Sequence, residues 1–410
     1  MNLPIPLSSL ATYVNGRAFR PDEMTPGGLP ILRIRQLVDR EAEPDFFDGA
    51  VEPRFKVANG DLIFSWSATL ATDVWDRGPA VLNQHLFNVH PVPGVEKRWL
   101  RRAIEASIPV FAGMMHGSAM THITREMLRD VKVQLPTLDD QRRIADFLDA
   151  EVMLHNRARA LLRQRVDLAR EIRTAHVLHE VTGAEKATSS DRLPWSQRVA
   201  PDWTVAKITH VAKLGSGHTP SRGKPEWWLD CTVPWVTTGE VQQLRDDRLE
   251  VITETRESLS LLGIANSSAE IHPTGTVVLS RTASAGFSAV MGRPMATSQD
   301  YVTWTCGPRL RPLFLLWCLR AMRPDLLGRL AMGSTHKTIY VPDIQTIRIP
   351  IPTVGAQDQA VAAVQRVNAH VDAGIDLIER QLALIEERQH ALIAAAVTGK
   401  FDVTTARTVA

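Results

Sequence analysis

The residue patterns that usually mark catalysis or metal binding are not formed in this 410-residue sequence. The segment "VTGK" at residues 397–400 ends like a nucleotide phosphate loop but lacks the upstream glycine that such a loop requires. No dinucleotide fingerprint or H-E-x-x-H pair occurs, and Cys231, Cys306 and Cys318 are far from metal-ligand spacing. The stretch "GSTHKTI" at residues 333–339 instead offers hydroxyls, an imidazole and an ammonium in succession. Such residues favour binding over catalysis, unless the stretch is an ordinary polar turn.

The composition predicts a globular protein with hydrophobic cores, since 44% of residues are apolar and 22% are charged. The length indicates two or three domains. No targeting or membrane segment is expected, because the longest apolar runs are too short for a bilayer and the start lacks a basic region followed by an apolar run. The three cysteines, few and odd in number, favour the reducing cytoplasm. A net charge of only +2 does not by itself indicate a nucleic-acid partner.

The sequence contains an internal repeat at an offset of about 216 residues. "LPTLDDQ" at residues 135–141 matches "IPTVGAQ" at 351–357, each just before a long helical pattern. Further matches keep the same order, with an offset that drifts toward the start of the chain, as insertions and deletions would cause. They pair residues 117–124 with 333–340, 181–183 with 397–399, "GDLIFSW" with "GTVVLSR", "LPILRIRQL" with "VPWVTTGEV", and "LATYVNG" with "VAKLGSG". We therefore interpret the chain as a tandem duplication.

Each copy divides into a globular part and a helical part. The globular parts carry short β-branched and apolar runs broken by Gly, Pro, Asn and Asp, which predicts strand-rich α/β domains with a few helices. In the first copy a stretch without Pro or Gly follows from Asp139 to about Val181, and in the second copy a similarly spaced apolar pattern follows the globular part; both predict long helices. The predicted boundaries are a first globular domain 1–136, a first helix 137–183, a linker 184–200, a second globular domain 201–351, a second helix 352–400 and a tail 401–410.

Apolar residues at alternating spacings of three and four predict a seam along each helix. The predicted seam positions are Leu154, Ala158, Leu161, Arg165, Leu168, Ile172 and Ala175 in the first helix, and Ile375, Ile378, Leu382, Ile385, Gln389, Leu392 and Ala396 in the second. Two matching seams in one chain favour mutual pairing, although each helix could instead pack on its own domain. Pseudo-two-fold symmetry would make the pair an antiparallel coiled coil. A helix of about 40 residues spans roughly 60 Å, so the pair would act as a spacer between two globular domains.

The phrase "LPTLDDQRRIADFLD" after a variable domain, with "ERQHALIAAAVTGKF" near the end, resembles the specificity subunit of Type I restriction–modification systems. The resemblance covers nearly the whole chain. It implies two target recognition domains, each followed by a conserved helical region, and a non-catalytic DNA-recognition function in phage defence. Each domain would bind one half of a bipartite, asymmetric site in double-stranded DNA. The helix pair would set the gap and dock the methyltransferase subunits, two in number, beside restriction motor-nuclease subunits. S-adenosylmethionine, ATP and Mg²⁺ would belong to those partners, with no cofactor or metal on this chain.

Candidate DNA contacts follow from the polar loops, because hydroxyls and cations suit phosphates and base edges. Arginines and a glutamine in "LRIRQL" would lie on a strand, with both arginines on one face, and the loop "SGHTPSRGK" would form a phosphate clamp. The complete set comprises Arg33, Arg35, Gln36, Ser118, Thr121, His122, His218, Thr219, Arg222, Lys224, Ser334, Thr335, His336, Lys337 and Thr338.

Other features have alternative interpretations. "NQH" at residues 83–85 and "SQDY" at 298–301 occupy equivalent positions, and fold-determining hydrogen bonds are a stronger explanation than base contact. Trp227, Trp228 and Trp235 are expected to be packing aromatics rather than base-stacking ones. Charged residues on the helix exteriors would face partner subunits or only solvent. A protein-binding scaffold that does not contact DNA is the alternative function, and a self-sufficient enzyme is disfavoured by the missing motifs.

Overall fold

The computed structural model describes residues 4–116, 122–282, 284–332 and 337–403. The chain forms two compact units, the first made of residues 1–162 and 380–410 and the second of residues 163–379. Each unit contains one strand-rich domain together with part of each of two long helices, as the sequence predicted for an α/β fold.

The first unit is built on two four-stranded sheets. One is antiparallel and has the order β2 (Ala11–Asn15), β9 (Leu86–Pro91), β6 (Leu62–Ser65) and β7 (Thr72–Val74). The other has the order β4 (Asp45–Phe47), β3 (Leu29–Leu32), β8 (Ala80–Leu82) and β5 (Lys56–Val57), in which β3 and β8 are parallel. A small antiparallel ribbon pairs β1 (Ile5–Pro6) with β10 (Lys132–Val133). The elements are β1 Ile5–Pro6, β2 Ala11–Asn15, β3 Leu29–Leu32, α1 Ile34–Val38, β4 Asp45–Phe47, β5 Lys56–Val57, β6 Leu62–Ser65, β7 Thr72–Val74, β8 Ala80–Leu82, β9 Leu86–Pro91, α2 Lys97–His116, α3 Arg125–Asp130, β10 Lys132–Val133 and the start of α4 Leu138–Thr182.

The second unit repeats this plan, with five strands in its main sheet and three in its smaller sheet. The main sheet has the order β14 (Ala212–Ser216), β21 (Tyr301–Cys306), β18 (Val277–Ser280), β19 (Ser288–Met291) and β16 (Val251–Ile252). The smaller sheet has the order β17 (Glu257–Leu259), β15 (Val233–Val236) and β20 (Ala296–Thr297), and the ribbon of β13 (Thr204–Lys207) with β24 (Arg348–Ile351) corresponds to β1·β10. The elements are β11 Thr188–Leu193, β12 Ser196–Val199, β13 Thr204–Lys207, β14 Ala212–Ser216, β15 Val233–Val236, α5 Val241–Leu244, β16 Val251–Ile252, β17 Glu257–Leu259, α6 Leu261–Ala265, β18 Val277–Ser280, β19 Ser288–Met291, β20 Ala296–Thr297, β21 Tyr301–Cys306, α7 Pro312–Ala321, α8 Arg323–Asp325, β22 Ala331–Met332, β23 Thr338–Ile339, α9 Val341–Ile344, β24 Arg348–Ile351 and α10 Val354–Val397.

The two long helices run antiparallel. In the second unit, Arg173 of α4 pairs with Asp372 of α10 at 2.9 Å, and one turn further along α4 His176 lies 3.4 Å from the carbonyl oxygen of Ala363. In the first unit, Leu148 of α4 shares a hydrophobic cluster with residues near the end of α10. Residue numbers therefore increase along α4 while those of the contacting residues on α10 decrease. This confirms the predicted antiparallel pair.

The predicted seam is confirmed on α10. Ile375, Ile378 and Gln389 are buried, and the intervening seam positions are half-buried. This face is recognisable in the sequence because apolar residues occupy it at nearly every turn.

The predicted seam on α4 is wrong. Its large residues are exposed: Leu154, Leu161, Leu168 and Ile172 expose 46%, 54%, 54% and 52% of their surface. The buried face instead contains Val166 and Val177, with polar residues such as Arg173 between them. Because those polar residues interrupt the apolar pattern, the exposed leucine row gave the stronger heptad signal.

The segment interpreted as a linker is ordered. Residues 188–193 and 196–199 form the hairpin β11·β12, and Val199 and Ala200 are fully buried. Arg192 joins the hairpin to the segment that follows it, by donating hydrogen bonds to the carbonyl oxygens of Trp203 and Ala200, both at 2.9 Å. Among the described residues, no helix combines the length and apolarity needed to cross a membrane.

Candidate nucleic-acid interface

Polar side chains converge beside the main sheet of the second unit. The hydroxyl of Thr219, just after β14, donates to Gln299 Oε1 at 2.5 Å, and Gln299 precedes β21. Next to this pair, Arg281 continues from β18, and its carbonyl oxygen accepts a 2.8 Å hydrogen bond from the N–H of Ile339 in β23. Three segments far apart in sequence are thereby brought together.

Other predicted contacts lie at the same place. The N–H of His218 donates to the carbonyl oxygen of Thr297 at 3.0 Å, which positions the loop that carries Thr219. Thr338 lies on β23, and Lys337 Nζ beside it donates to the carbonyl oxygen of Leu327 at 3.2 Å. His218 and Thr219 therefore belong to this region, and Lys337 and Thr338 adjoin it because the next residue, Ile339, bonds to Arg281.

A buried tyrosine lies beside this region. The Tyr301 hydroxyl donates to the carbonyl oxygen of Thr237 at 3.2 Å. Burial raises the pKa of the Tyr301 phenol well above its ordinary value, so the side chain stays neutral and acts as a structural donor.

The corresponding region of the first unit is aromatic. Trp66, at the end of β6, has its ring 5.8 Å from that of His85 and 5.7 Å from that of the exposed His122. Its indole N–H donates to Asn15 Oδ1 at 2.9 Å, and Ser67 Oγ lies 2.9 Å from His85 Nδ1. Of the predicted contacts of this unit that lie among the described residues, only His122 joins this group of aromatic rings.

The prediction for Arg33, Arg35 and Gln36 is wrong in its geometry. The strand ends at Leu32, and these residues start the short helix α1, so the two arginines do not share a strand face. Both arginines pair with Asp45, at 3.0 and 3.1 Å. Gln36 is buried, accepts from the N–H of Arg33 and donates to a backbone carbonyl, so it is a capping residue rather than a base-reading one.

The residues predicted to form a phosphate clamp lie in two different places. His218 and Thr219 join the polar region, whereas the guanidinium of Arg222 lies over the Trp228 ring at 3.8 Å and pairs with Glu257 at 2.9 Å. Lys224 is exposed and precedes a short 3-10 helix. Trp235 is buried, as expected for a packing aromatic, with its ring 5.8 Å from Trp228.

The remaining predicted contacts lie outside the described residues. They are Ser118, Thr121, Ser334, Thr335 and His336.

The equivalent turns "NQH" and "SQDY" combine a structural and a surface role. Asn83 and Ser298 are buried, and their side-chain oxygens accept hydrogen bonds from the N–H groups of His85 and Asp300, each at 3.3 Å. This agrees with the fold-determining interpretation of the first residue of each turn. The residues two positions on, His85 and Asp300, are only half-buried and join the polar regions.

Sequence reasoning left Trp66 and Arg281 out of the candidate contacts, and it favoured a structural role for the turns that contain His85 and Asp300. The repeat already aligned these residues, since an offset of 215 places Trp66 on Arg281 and His85 on Asp300, but the alignment alone did not show that the two aligned pairs lie beside each other in each unit.

The chemistry of both regions is hydrogen bonding and charge recognition. No group of three or more His, Cys, Asp or Glu arranged to hold a metal ion occurs within residues 4–116, 122–282, 284–332 and 337–403. Two like-folded domains with unlike polar regions, joined to one antiparallel helix pair, define a tandem recognition protein. The chain belongs to the family described as "Type I restriction modification DNA specificity domain", whose model matches residues 4–159 and 201–387.

Individual relatives agree with this assignment. The chain is 19% identical over 412 aligned residues to the Type I restriction enzyme EcoBI specificity subunit of Escherichia coli, covering 97% of this chain and 86% of the relative. It is 23% identical over 192 residues to the MjaIX specificity subunit of Methanocaldococcus jannaschii, covering 46% of this chain and 42% of the relative.

Solved structures share the fold. A chain from work on complex assembly and conformational transition of the type I R-M system aligns with a TM-score of 0.72 at 18% identity, over 97% of this chain and 98% of that one. The HsdS subunit from Thermoanaerobacter tengcongensis aligns with a TM-score of 0.53 at 17% identity, over 97% of each chain.

Proposed function

We propose that this chain is the DNA-specificity subunit of a Type I restriction–modification complex. Each recognition domain binds one half of a bipartite site, and the helix pair sets the gap between the halves. The observation that carries this proposal is the family match to both copies of the repeat. The polar regions of the two units have the same backbone arrangement but different side chains. Because unlike side chains read different bases, the two halves of the site would differ.

The partner subunits would carry out the catalytic steps. We assign no catalytic role to this chain, and methyl transfer and ATP-driven cleavage would be carried out by methyltransferase and motor-nuclease subunits in the cytoplasm. Those subunits would bind S-adenosylmethionine, ATP and Mg²⁺. The absence of a nucleotide phosphate loop in the sequence supports this division of labour.

The exposed leucines supply a docking surface for the methyltransferase. On α4, Leu161 and Leu168 each expose 54% of their surface, and on α10, Leu377 and Leu384 expose 53% and 63%. The two pairs have the same seven-residue spacing and lie 216 residues apart, at the offset of the repeat. A row of this spacing suits contact with a helix of another protein. Two equivalent rows support two methyltransferase subunits for each copy of this chain.

Methylation mapping tests the proposal. A host that expresses this chain with its partner methyltransferase would have its genome mapped at base resolution, and a host with the partner alone is the control. We expect a new two-part motif with unlike halves and a constant gap. A contiguous motif would contradict the role of the helix pair. A stable complex that methylates nothing new, and that shows no salt-dependent binding to duplex DNA, would favour the scaffold function instead.

A further inference from the structure

The two polar regions share one backbone arrangement. The N–H of Trp66 donates to the carbonyl oxygen of His85 at 3.2 Å, and the N–H of Arg281 donates to that of Asp300 at 2.8 Å. The carbonyl oxygens of Trp66 and Arg281 accept matching hydrogen bonds, from Ile123 at 2.7 Å and from Ile339 at 2.8 Å. Trp66 therefore occupies in the first domain the place that Arg281 occupies in the second, and His85 the place of Asp300.

A hydroxyl group holds the second residue of each pair. Ser67 Oγ lies 2.9 Å from His85 Nδ1, and the equivalent Thr282 donates to Asp300 Oδ1 at 2.5 Å. Ser298 supports the carboxylate further by donating to Asp300 Oδ2 at 3.2 Å. The support is thus retained in both copies, while the side chain that it positions changes from an imidazole to a carboxylate.

The second domain combines a fixed donor with a fixed acceptor. Arg281 Nε donates to the carbonyl oxygen of Gln299 at 3.0 Å, which orients the guanidinium plane and leaves its two terminal nitrogens for another acceptor. Arg281 and Asp300, both among the described residues, form no ion pair with each other, and each is held by neutral groups. Each carboxylate oxygen of Asp300 accepts a single hydroxyl and keeps capacity for a second donor.

This combination matches the major-groove edge of one base pair. Guanine presents two acceptors that suit arginine, and its partner cytosine presents an amino donor that suits a carboxylate. We propose that Arg281 and Asp300 specify a G·C pair in the half-site bound by the second domain, and that Trp66 and His85 hold the equivalent reading position in the first. The inference rests on the proposed function and adds the base-reading residues to it.

The test is the variant Asp300→Asn, assembled as the full chain with the partner methyltransferase and mapped at base resolution beside the parent. The amide oxygen of Asn can still accept from Thr282, so the turn is retained, but its amide suits adenine rather than cytosine. We expect preference for G·C at one position of one half to fall about tenfold or more, with the other half and the gap unchanged. Glu254→Gln, an exposed carboxylate of the same domain, is the matched control and should leave the motif as it is.

The outcomes separate the two proposals. A parent that directs no two-part motif removes the proposed function, and this inference with it. A parental motif that Asp300→Asn leaves unchanged in both halves overturns the inference alone, as does a change confined to an A·T position. If Asp300→Asn forms no complex, Arg281→Gln decides by the same readout, since it removes the guanine contact while Asp300 keeps both hydroxyl partners.

Discussion

Gln141 and Gln357 make the same three hydrogen bonds, each fastening the start of one long helix to its recognition domain. Gln141 Oε1 accepts from the N–H of Glu96 at 2.7 Å, and its Nε2 donates to the carbonyl oxygens of Gly94 and Pro136. Gln357 Oε1 accepts from the N–H of Arg311 at 2.8 Å, and its Nε2 donates to the carbonyl oxygens of Arg309 and Pro352. Both side chains are buried. The repeated Pro-Thr-x-x-x-Gln phrase thus encodes a rigid junction between a domain and a helix.

Replacing Gln357 should destabilise the second unit strongly. Gln357→Ala leaves one N–H and two carbonyl groups without their partner in a buried place, and each unsatisfied group costs about 1–3 kcal/mol. We expect the free energy of unfolding in a urea titration to fall by about 3 kcal/mol. Gln381→Ala, at an exposed position of the same helix, is the control and should change it by less than about 0.5 kcal/mol. If Gln357→Ala changed the free energy of unfolding as little as the control does, the junction would add nothing to stability.

Gly217 is required for a close backbone approach next to the candidate interface. A Cβ atom at Gly217 would overlap the carbonyl oxygens of Thr297 and Ser298, and a Cβ at the equivalent Gly16 would overlap those of Leu82 and Asn83. Gly217→Ala should lower the free energy of unfolding by about 2 kcal/mol and weaken binding of duplex DNA, since the turn before Asp300 must move. Equilibrium unfolding and fluorescence anisotropy would measure the two effects.

Gly374 provides the contrast. It lies inside α10, and a Cβ atom at this position would meet no neighbouring side chain within 4 Å, so alanine fits there. Gly374→Ala should raise the free energy of unfolding by about 0.5–1 kcal/mol, because alanine is the better helix former. A loss of stability at Gly374, or tolerance at Gly217, would contradict the roles given to these two glycines.

The sequence predicted repeated architecture better than side-chain environment. The duplication is visible from repeated phrases, and both long helices are visible from apolar residues at spacings of three and four, which on α10 also mark the buried face. The α4 seam is not, since the half-buried Arg173 lies on the packed face, where Asp372 and the carbonyl oxygen of Asp246 accept its hydrogen bonds. Likewise, the alternation in "LRIRQL" cannot show that Asp45 engages both arginines. Such pairings depend on residues that meet only after folding.

The ion pair at that helix contact should be salt-sensitive. Arg173 and Asp372 expose only 15% and 20% of their side chains, and Arg248 also reaches Asp372 at 3.5 Å. Asp372→Asn should lower the free energy of unfolding by about 1–2 kcal/mol at low salt and by less at high salt. Asp167→Asn removes an exposed ion pair with Arg170 and should leave the free energy of unfolding nearly unchanged. A loss that does not change with salt would assign the effect to hydrogen bonding alone.

The leucine rows should determine how many methyltransferase subunits bind. Leu161→Ser with Leu168→Ser removes apolar surface from α4 that we expect a partner helix to cover, at about 2 kcal/mol for each buried leucine. The complex, weighed by native mass spectrometry, should retain one methyltransferase instead of two, while circular dichroism of the free chain stays unchanged. Leu377→Ser with Leu384→Ser should do the same through α10, and the two changes combined should abolish assembly. Leu229→Ser with Leu261→Ser, both 64% exposed in the second recognition domain, is the matched control. If both helix variants still bind two subunits, the docking surface lies elsewhere on the chain.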